Sequence, residues 1–502
     1  FVFGIESLSQ DGFIPWRFTT TNAGHWMAVY DALGYGTIAS MDIIPGLAER
    51  WEFSTDYLTF TLFLRKGIPW QGGWGEVTAD DIKYTLEQMG WASGTVSSRA
   101  GLMKKMIDSI EVKDPYTLII HQKQPGEDLV APFMDHCTYM PIACKKYFEA
   151  VGEDEANLHP VGSGPFRLVE HEFGDYMKFE AADVHWRCVP EFKYLVLQCV
   201  PEEATRIAML KTGEIDATQI SPPSLPQIPK DGFTIHSWPT GRFTSTVLGA
   251  MYTPNDHRYV EGYTRQDPWA DIKVREAMSI AIDRDAINKA LYSGLATPSS
   301  LPYYMPGWDK IEQIPYDPER AKQLLTEAGY PDGFSVDFII MPFNPGMPML
   351  PKCGEAAAGY WENIGIKVKI LSIDFPAWFP SMKKGETAGS IWIMGFSYGE
   401  DKIDLFMPDR GSWEVYLDDE LTSLGSKVLD EPSLAKRHEI YGDIARHHRN
   451  NYTNVPFFVE PLLYASNSQK VGEWPPWNTT FYHSFEYIRH AKPLNTWRLF
   501  TP

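Results

Sequence analysis

Paired carboxylates are the first groups in this chain whose spacing could do chemistry, because two neighbouring acids can divide the work of glycoside hydrolysis between them. Asp80/Asp81, Asp418/Asp419/Glu420 and Glu400/Asp401 are such neighbours. Most read as helix caps or solvated faces. Glu400/Asp401 differs: it follows the apolar strand IWIMGF and the loop SYG, and ligands of α/β sheets sit at strand ends. Histidine offers less. His438-Glu439 lacks the second histidine that a zinc-protease helix carries four residues after its first, and His447 and His448 fall near a helix end in ARHHRNN and read as solvated surface. The five cysteines, Cys137, Cys144, Cys188, Cys199 and Cys353, contain no C-x-x-C pair, so zinc or dithiol chemistry is not expected. Cys137 and Cys144 could bridge a short loop in an oxidising compartment, but buried free thiols are the preferred reading. VGSGP around Ser163 imitates a nucleophile elbow without its G-x-S-x-G frame, and Pro165 makes it a strand-entry turn. Neither a phosphate loop nor a metal-ligand helix is present, so no catalytic residue, cofactor or metal is assigned.

The elements that must position these groups alternate between short β-rich runs and amphipathic helical ones, which predicts an α/β fold. LTFTLFL, from Leu58 to Leu64, alternates as a strand. Thr78 stands before ADDIKYTLEQM as a helix N-cap, with Asp80 and Asp81 in the first turn complementing the helix dipole. Tyr194 to Val200 reads as a buried strand, and EEATRIAMLKTGEID as a helix ended by Gly213. DIKVREAMSIAIDRDAINKALYSG has helical spacing up to Gly294, and Asp317 before Pro318 caps a helix that stops at Gly329. Ala356 to Ile364 is expected to be helical, with strands over Ile366 to Leu371 and IWIMGF.

The bulk numbers bound the partners. With 502 residues and 44% hydrophobic composition the chain exceeds what one core usually organises, so two or three lobes are expected. A net charge of −20 repels phosphate backbones and anionic lipid, and no basic run reverses it locally, so nucleic acid is not an expected partner. The 17 tryptophans and 25 tyrosines mostly fill the core, yet suit small-ligand pockets as well. No stretch of about 18 apolar residues is present.

In order along the chain, PGLAERWEFSTDYLTFTLFLRKGIPWQGGWGEVTADDIKYTLEQM (from Pro45), VGSGPFRLVEHEFGDYMKF (from Val161) and VPEEATRIAMLKTGEIDA (from Val200) are followed by three further motifs. These are VREAMSIAIDRDAINKALYSGLATP (from Val274), YDPERAKQLLTEAGYPDGFSV (from Tyr316) and WENIGIKVKI (from Trp361). This succession resembles the extracellular solute-binding protein family of the dipeptide, oligopeptide and nickel ABC importers. The resemblance implies a two-lobed, periplasmic-binding-protein-like fold with a hinge. Lobe I would comprise 1–39, 159–266 and 465–502, a small extra α/β domain inserted in it 40–158, and lobe II 267–464. It implies an extracytoplasmic, non-enzymatic subunit, generally monomeric, that captures a small organic solute between two closing lobes and delivers it to ABC permease subunits. The location would be periplasmic or extracellular, with lipid anchoring through a segment outside this sequence left open.

Ligand-binding residues follow from where relatives place their clefts. Asn22, His25 and Trp26 lie just ahead of a helix, and Arg242, Phe243 and Thr244 on the crossover toward the second lobe. Dipeptide binders carry an arginine before a Tyr-Asn-Pro to clamp the peptide carboxylate; here Met341-Pro342-Phe343-Asn344-Pro345 has none, so Phe343 and Asn344 suggest a neutral or aromatic ligand. Their amino-binding aspartate is likewise displaced, leaving Phe396, Tyr398, Glu400 and Asp401 as candidates. A free dipeptide is therefore disfavoured, and an oligopeptide, oligosaccharide, metal chelate, or aromatic or polyol compound stays open. The alternatives are a hydrolase using an acidic pair such as Glu400/Asp401, and a chemosensory or chaperone-like receptor on the same fold.

Overall fold

The computed structural model describes residues 1–8, 12–17, 24–36, 43–93, 95, 100–127, 129, 140–251, 267–302, 305, 307–342, 347–397, 418–474 and 485–491. The chain forms two compact units, one of Phe1–Ile220, Ser224–Trp238 and Leu462–Pro502, the other of Ser221–Pro223 and Pro239–Pro461.

In the first unit the strands are β1 (Val2–Ile5), β2 (Gly34–Gly36), β3 (Ile43–Pro45), β4 (Ala48–Phe53), β5 (Thr59–Leu64), β6 (Ile107–Asp114) and β7 (Thr117–Gln122). After these come β8 (Phe166–Glu172), β9 (Tyr176–Ala181), β10 (Tyr194–Cys199) and β11 (Ala217–Ile220). β1 lies between β10 and β11, parallel to both, and β9 and β8 extend the sheet antiparallel beyond β10. Buried Phe3, Phe166, Phe179, Leu197 and Tyr464 fill the core at this sheet. A separate antiparallel sheet, ordered β4-β5-β7-β6, has its own core of Phe60, Leu62, Ile82, Leu86, Leu118 and Ile120, which also takes in Ile14 and Trp16. The alternation of LTFTLFL is the cause: every second side chain of β5 is buried. Against it lies the helix Ala79–Trp91, whose first turn Asp81 organises, accepting from Thr78 N at 2.9 Å and from Lys145 N at 2.9 Å.

Two long strands, β12 (Phe233–Leu248) and β17 (Asn454–Asn467), carry the chain from one unit into the other. The second unit adds β13 (Thr297–Pro298), β14 (Ser335–Ile340), β15 (Lys367–Ser372) and β16 (Ser390–Ser397). Its sheet runs β15-β14-β16-β12-β17, with β14 parallel to both β15 and β16 and β16 antiparallel to β12. Trp361 and Trp269 anchor the helices over the core, donating their indole N–H to Met278 O at 2.9 Å and Gly249 O at 2.7 Å.

Most expected elements form where the sequence places them, with one division. The helical stretch before Gly294 is two helices, Ile272–Ile280 and Arg284–Tyr292, because Asp283 leaves helical geometry and its carboxylate caps Ala286 N at 2.8 Å. Asp317 caps as expected, accepting from Arg320 N at 2.9 Å, and Gly213 closes its helix with φ 83°. Cys144, Cys188, Cys199 and Cys353 are free thiols, and Cys137 lies outside the described residues.

Candidate functional site

Of the ligand-binding residues expected in the second unit, the described ones, Arg242, Phe243, Thr244 and Phe396, lie together at one end of its sheet. β14 and β16 are parallel, so both finish at the same end, and Arg242 of β12 pairs there with Ser397, the last residue of β16. This is the strand-end position at which α/β sheets hold ligands. Alternation along β12 then sorts the candidates by face. Phe243 and its register partner Phe396 turn into the core, Phe243 fully buried with its ring edge-on to Trp308 at 5.3 Å. Arg242 and Thr244 take the opposite face, Arg242 half-buried and Thr244 fully buried. Asn22, Phe343, Asn344, Tyr398, Glu400 and Asp401 lie outside the described residues.

Thr244 leads to a residue that the sequence reading missed. Its hydroxyl donates to Glu460 Oε1 at 2.6 Å, and Tyr292 OH donates to the same oxygen at 2.5 Å. The Tyr292 hydroxyl also lies 3.3 Å from Cys353 Sγ. Burial pushes the Glu460 carboxyl above its ordinary range, while the Thr244 and Tyr292 hydrogen bonds and the charge of Arg242 pull it back down. Burial likewise raises the Tyr292 hydroxyl, with Cys353 and Glu460 adding to it. A signal for Glu460 existed: it is the one charged residue in NVPFFVEPLLYASN, a run otherwise suited to a strand buried on both faces.

In the first unit, His25 and Trp26 are both buried. Trp26 Nε1 donates to Gly12 O at 2.8 Å, and His25 Nε2 lies 3.2 Å from the same carbonyl with its ring edge-on to Phe13. These contacts tie residues 12–13 to the short helix Gly24–Val29. Among the described residues no group of three or more His, Cys, Asp or Glu side chains is placed to hold a metal ion.

A dense polar network of this unit surrounds Asp31, which is fully buried. Its Oδ1 accepts from Arg187 Nη2 at 2.7 Å and Tyr35 OH at 3.0 Å, and its Oδ2 from Trp186 Nε1 at 2.8 Å and Ser163 Oγ at 3.0 Å. Arg187 continues to Glu486 Oε1 at 2.8 Å. Burial alone would raise the Asp31 carboxyl, but Arg187 and His185 hold it well below the usual carboxylate range. Ser163 is thus a donor to a structural carboxylate in a strand-entry turn.

The expectation of a solvated surface at His447 and His448 is overturned, since both are buried. His447 Nε2 lies 2.8 Å from Asp418 Oδ2 and Nδ1 3.3 Å from Glu420 Oε2, and His448 Nδ1 lies 2.6 Å from Thr453 Oγ1. His447 thus meets Asp418, the N-cap of the helix Asp419–Asp430 on which the helix Leu434–Asn451 packs, whereas His448 meets the turn that follows its own helix. A shallow groove of about 730 Å³ lies at the opposite end of β14 and β15, lined by Asp332, Asp337, Glu362, Lys367 and Lys369. Its mixed charges and openness set it apart from the strand-end candidates.

Residues 42–412 match the family model of the bacterial extracellular solute-binding proteins, family 5. The chain belongs to this family. The glutathione-binding protein GsiB of Shigella flexneri is 32% identical over 471 residues, covering 90% of this chain and 87% of that protein. The dipeptide-binding protein of Escherichia coli (strain K12) is 28% identical over 405 residues, covering 75% and 72%. The solved structure of HbpA2 from Haemophilus parasuis superposes with a TM-score of 0.81 at 22% identity, covering 97% of this chain and 99% of that one. The family-5 chain therefore has the α/β fold of the solute-binding proteins. Among the described residues no helix is long and apolar enough to cross a membrane.

Proposed function

We propose that this solute-binding protein is the extracytoplasmic subunit of an ABC importer, capturing a small organic solute by closure of two lobes and delivering it to membrane permeases. The observation that carries the reading is the family match over residues 42–412. The work of such a chain is differential affinity between open and closed states, and it needs no covalent step. The absence of catalysis, periplasmic or cell-surface residence and the three-part division at 40, 159, 267 and 465 belong to the same proposal. For the site, Arg242 and Thr244 stand at the strand end, with Asn22, His25, Trp26, Phe343, Asn344, Tyr398, Glu400 and Asp401 kept as proposed contacts. Phe243 and Phe396 would act by backing that end from the core.

The solute is proposed to be peptide-like. The support is the 32% identity to a glutathione-binding protein over nearly the whole chain. Purified protein screened by thermal shift against glutathione, oligopeptides, oligosaccharides and metal chelates tests it. A compound at ~100 times its Kd stabilises by about 2.7 kcal/mol, roughly 2–3 °C in a chain of this size. A saturable shift with the compound recovered unchanged supports the reading; conversion of the compound to product, or no shift with any class, counts against it.

A further inference from the structure

At the strand end of the second unit a guanidinium stands near enough to a buried carboxyl for its charge to act on it, an arrangement that assigns a chemical class to the solute. Arg242 and Thr244 share a face of β12, and Thr244 is hydrogen-bonded to Glu460 on β17. One oxygen, Glu460 Oε1, therefore ties together β12 through Thr244, the helix Arg284–Tyr292 through Tyr292, and β17 itself. Cys353 on the helix Leu350–Asn363 backs the Tyr292 hydroxyl. Three elements thus fix the backbone from which Arg242 projects, the kind of support that keeps a binding group in one geometry.

Resting on the solute-binding reading above, we propose that Arg242 receives a carboxylate or other anionic group of the solute, and that Glu460 is the positioning residue that holds the Arg242–Thr244 stretch for it. Guanidinium geometry suits a carboxylate, which can accept two parallel hydrogen bonds. Among the described groups that act on Glu460 are Arg242 and Thr244 from β12, Tyr292 from one helix and Cys353 from another. Arg242 is a cation, and its charge favours the ionised form of Glu460. An anion bound to Arg242 offsets that charge, so Glu460 binds protons more readily in the complex than in the free protein. Solute binding is then accompanied by proton uptake, and affinity rises as the pH falls through the titration of Glu460.

Two measurements on the full chain test this. The first needs no solute: the Glu460 carboxyl is followed by carbon NMR of glutamate-labelled protein and assigned with Glu460→Gln. Arg242→Gln is expected to move the Glu460 titration to higher pH and Arg242→Lys to leave it near its original place; an unmoved titration in Arg242→Gln overturns the coupling. The second is calorimetry with reduced glutathione and its diethyl ester. The acid is expected to bind at least tenfold more tightly than the ester, on the scale of about one charge-assisted hydrogen bond. Arg242→Gln should remove that preference, and Glu460→Gln should remove the dependence of the heat on buffer ionisation. Acid and ester binding alike, in wild type, overturns the anion assignment while leaving the solute-binding reading intact. A chain that binds no compound of the whole panel fails that reading instead, and the titration still decides the Arg242–Glu460 coupling.

Discussion

Asp31 shows how a single carboxylate can hold distant stretches of chain together. Its two oxygens serve side chains at 35, 163, 186 and 187, and Arg187 passes the connection to Glu486 near the carboxy end. Removing the charge leaves Arg187 buried with Glu486 as its remaining ionic partner. Asp31→Asn is therefore expected to destabilise the protein by about 3–5 kcal/mol, as breaking buried pairs does, and denaturant unfolding followed by tryptophan fluorescence reads it. A loss below 1 kcal/mol would show that solvent or neutral groups satisfy Arg187. The sequence held no local sign of this network, because its members lie up to 455 positions apart (31 to 486) and only the fold brings them together. Glu460 was legible in principle, as a lone acid in an apolar run. His447 and His448 misled for a related reason: a charge-rich stretch at a helix end reads as solvated, and the partners that bury it, Asp418, Glu420 and Thr453, come from neighbouring elements or the following turn.

At the scale of elements, local signals were enough where the cause is local. Alternation gave β5, N-cap chemistry the helix starts after Thr78 and Asp317, and a left-handed glycine the stop at Gly213. The missed break at Asp283 was local too, an Asp in cap position inside a continuous apolar period. The glycines of VGSGP have a reason that spacing did not reveal. Gly164 N donates to Val29 O at 2.8 Å, and a Cβ on Gly162 would stand 1.8 Å from that same carbonyl oxygen. The motif is a close backbone approach between a strand entry and the end of the helix Gly24–Val29. Gly162→Ala is expected to cost at least 1–3 kcal/mol, the usual scale of overpacking. Gly101→Ala is the control: that site sits exposed in the helix Ala100–Met106 with open space at its Cβ, so the substitution should stabilise by about 0.5–1 kcal/mol. Equal effects from the two, measured by thermal unfolding, would refute the close-approach account.

For the whole molecule the question is how stability answers to acid, and buried histidines in both units decide it. Burial lowers His236 of the first unit to about 4 and, with the charge of His447 adding, His448 of the second to about 3. In the unfolded chain both would take up protons near pH 6.5. The folded protein therefore binds fewer protons than the unfolded one below that point, and stability falls as pH drops from about 6.5 toward those values. His447 works the other way. Burial disfavours its charge, but the Asp418 hydrogen bond and the charges of Asp418 and Glu420 raise it above its ordinary value. Its contribution is then complete below about pH 6.5 and is lost as the pH rises through the folded value. Two adjacent residues on one helix thus oppose each other across the same range. Ordinary carboxylates stay largely ionised down to about pH 5. Those that burial raises, Glu460, Asp81 and Asp267, are common to wild type and variants, so differences between them over about pH 7 to 5 report the histidines. Urea unfolding across that interval should show a smaller loss of stability on acidification in His448→Gln than in wild type, and a larger loss in His447→Gln. The signs carry the argument more than the magnitudes: if both variants shift the pH slope in the same direction, the two rings do not occupy the opposite charge states that their partners impose.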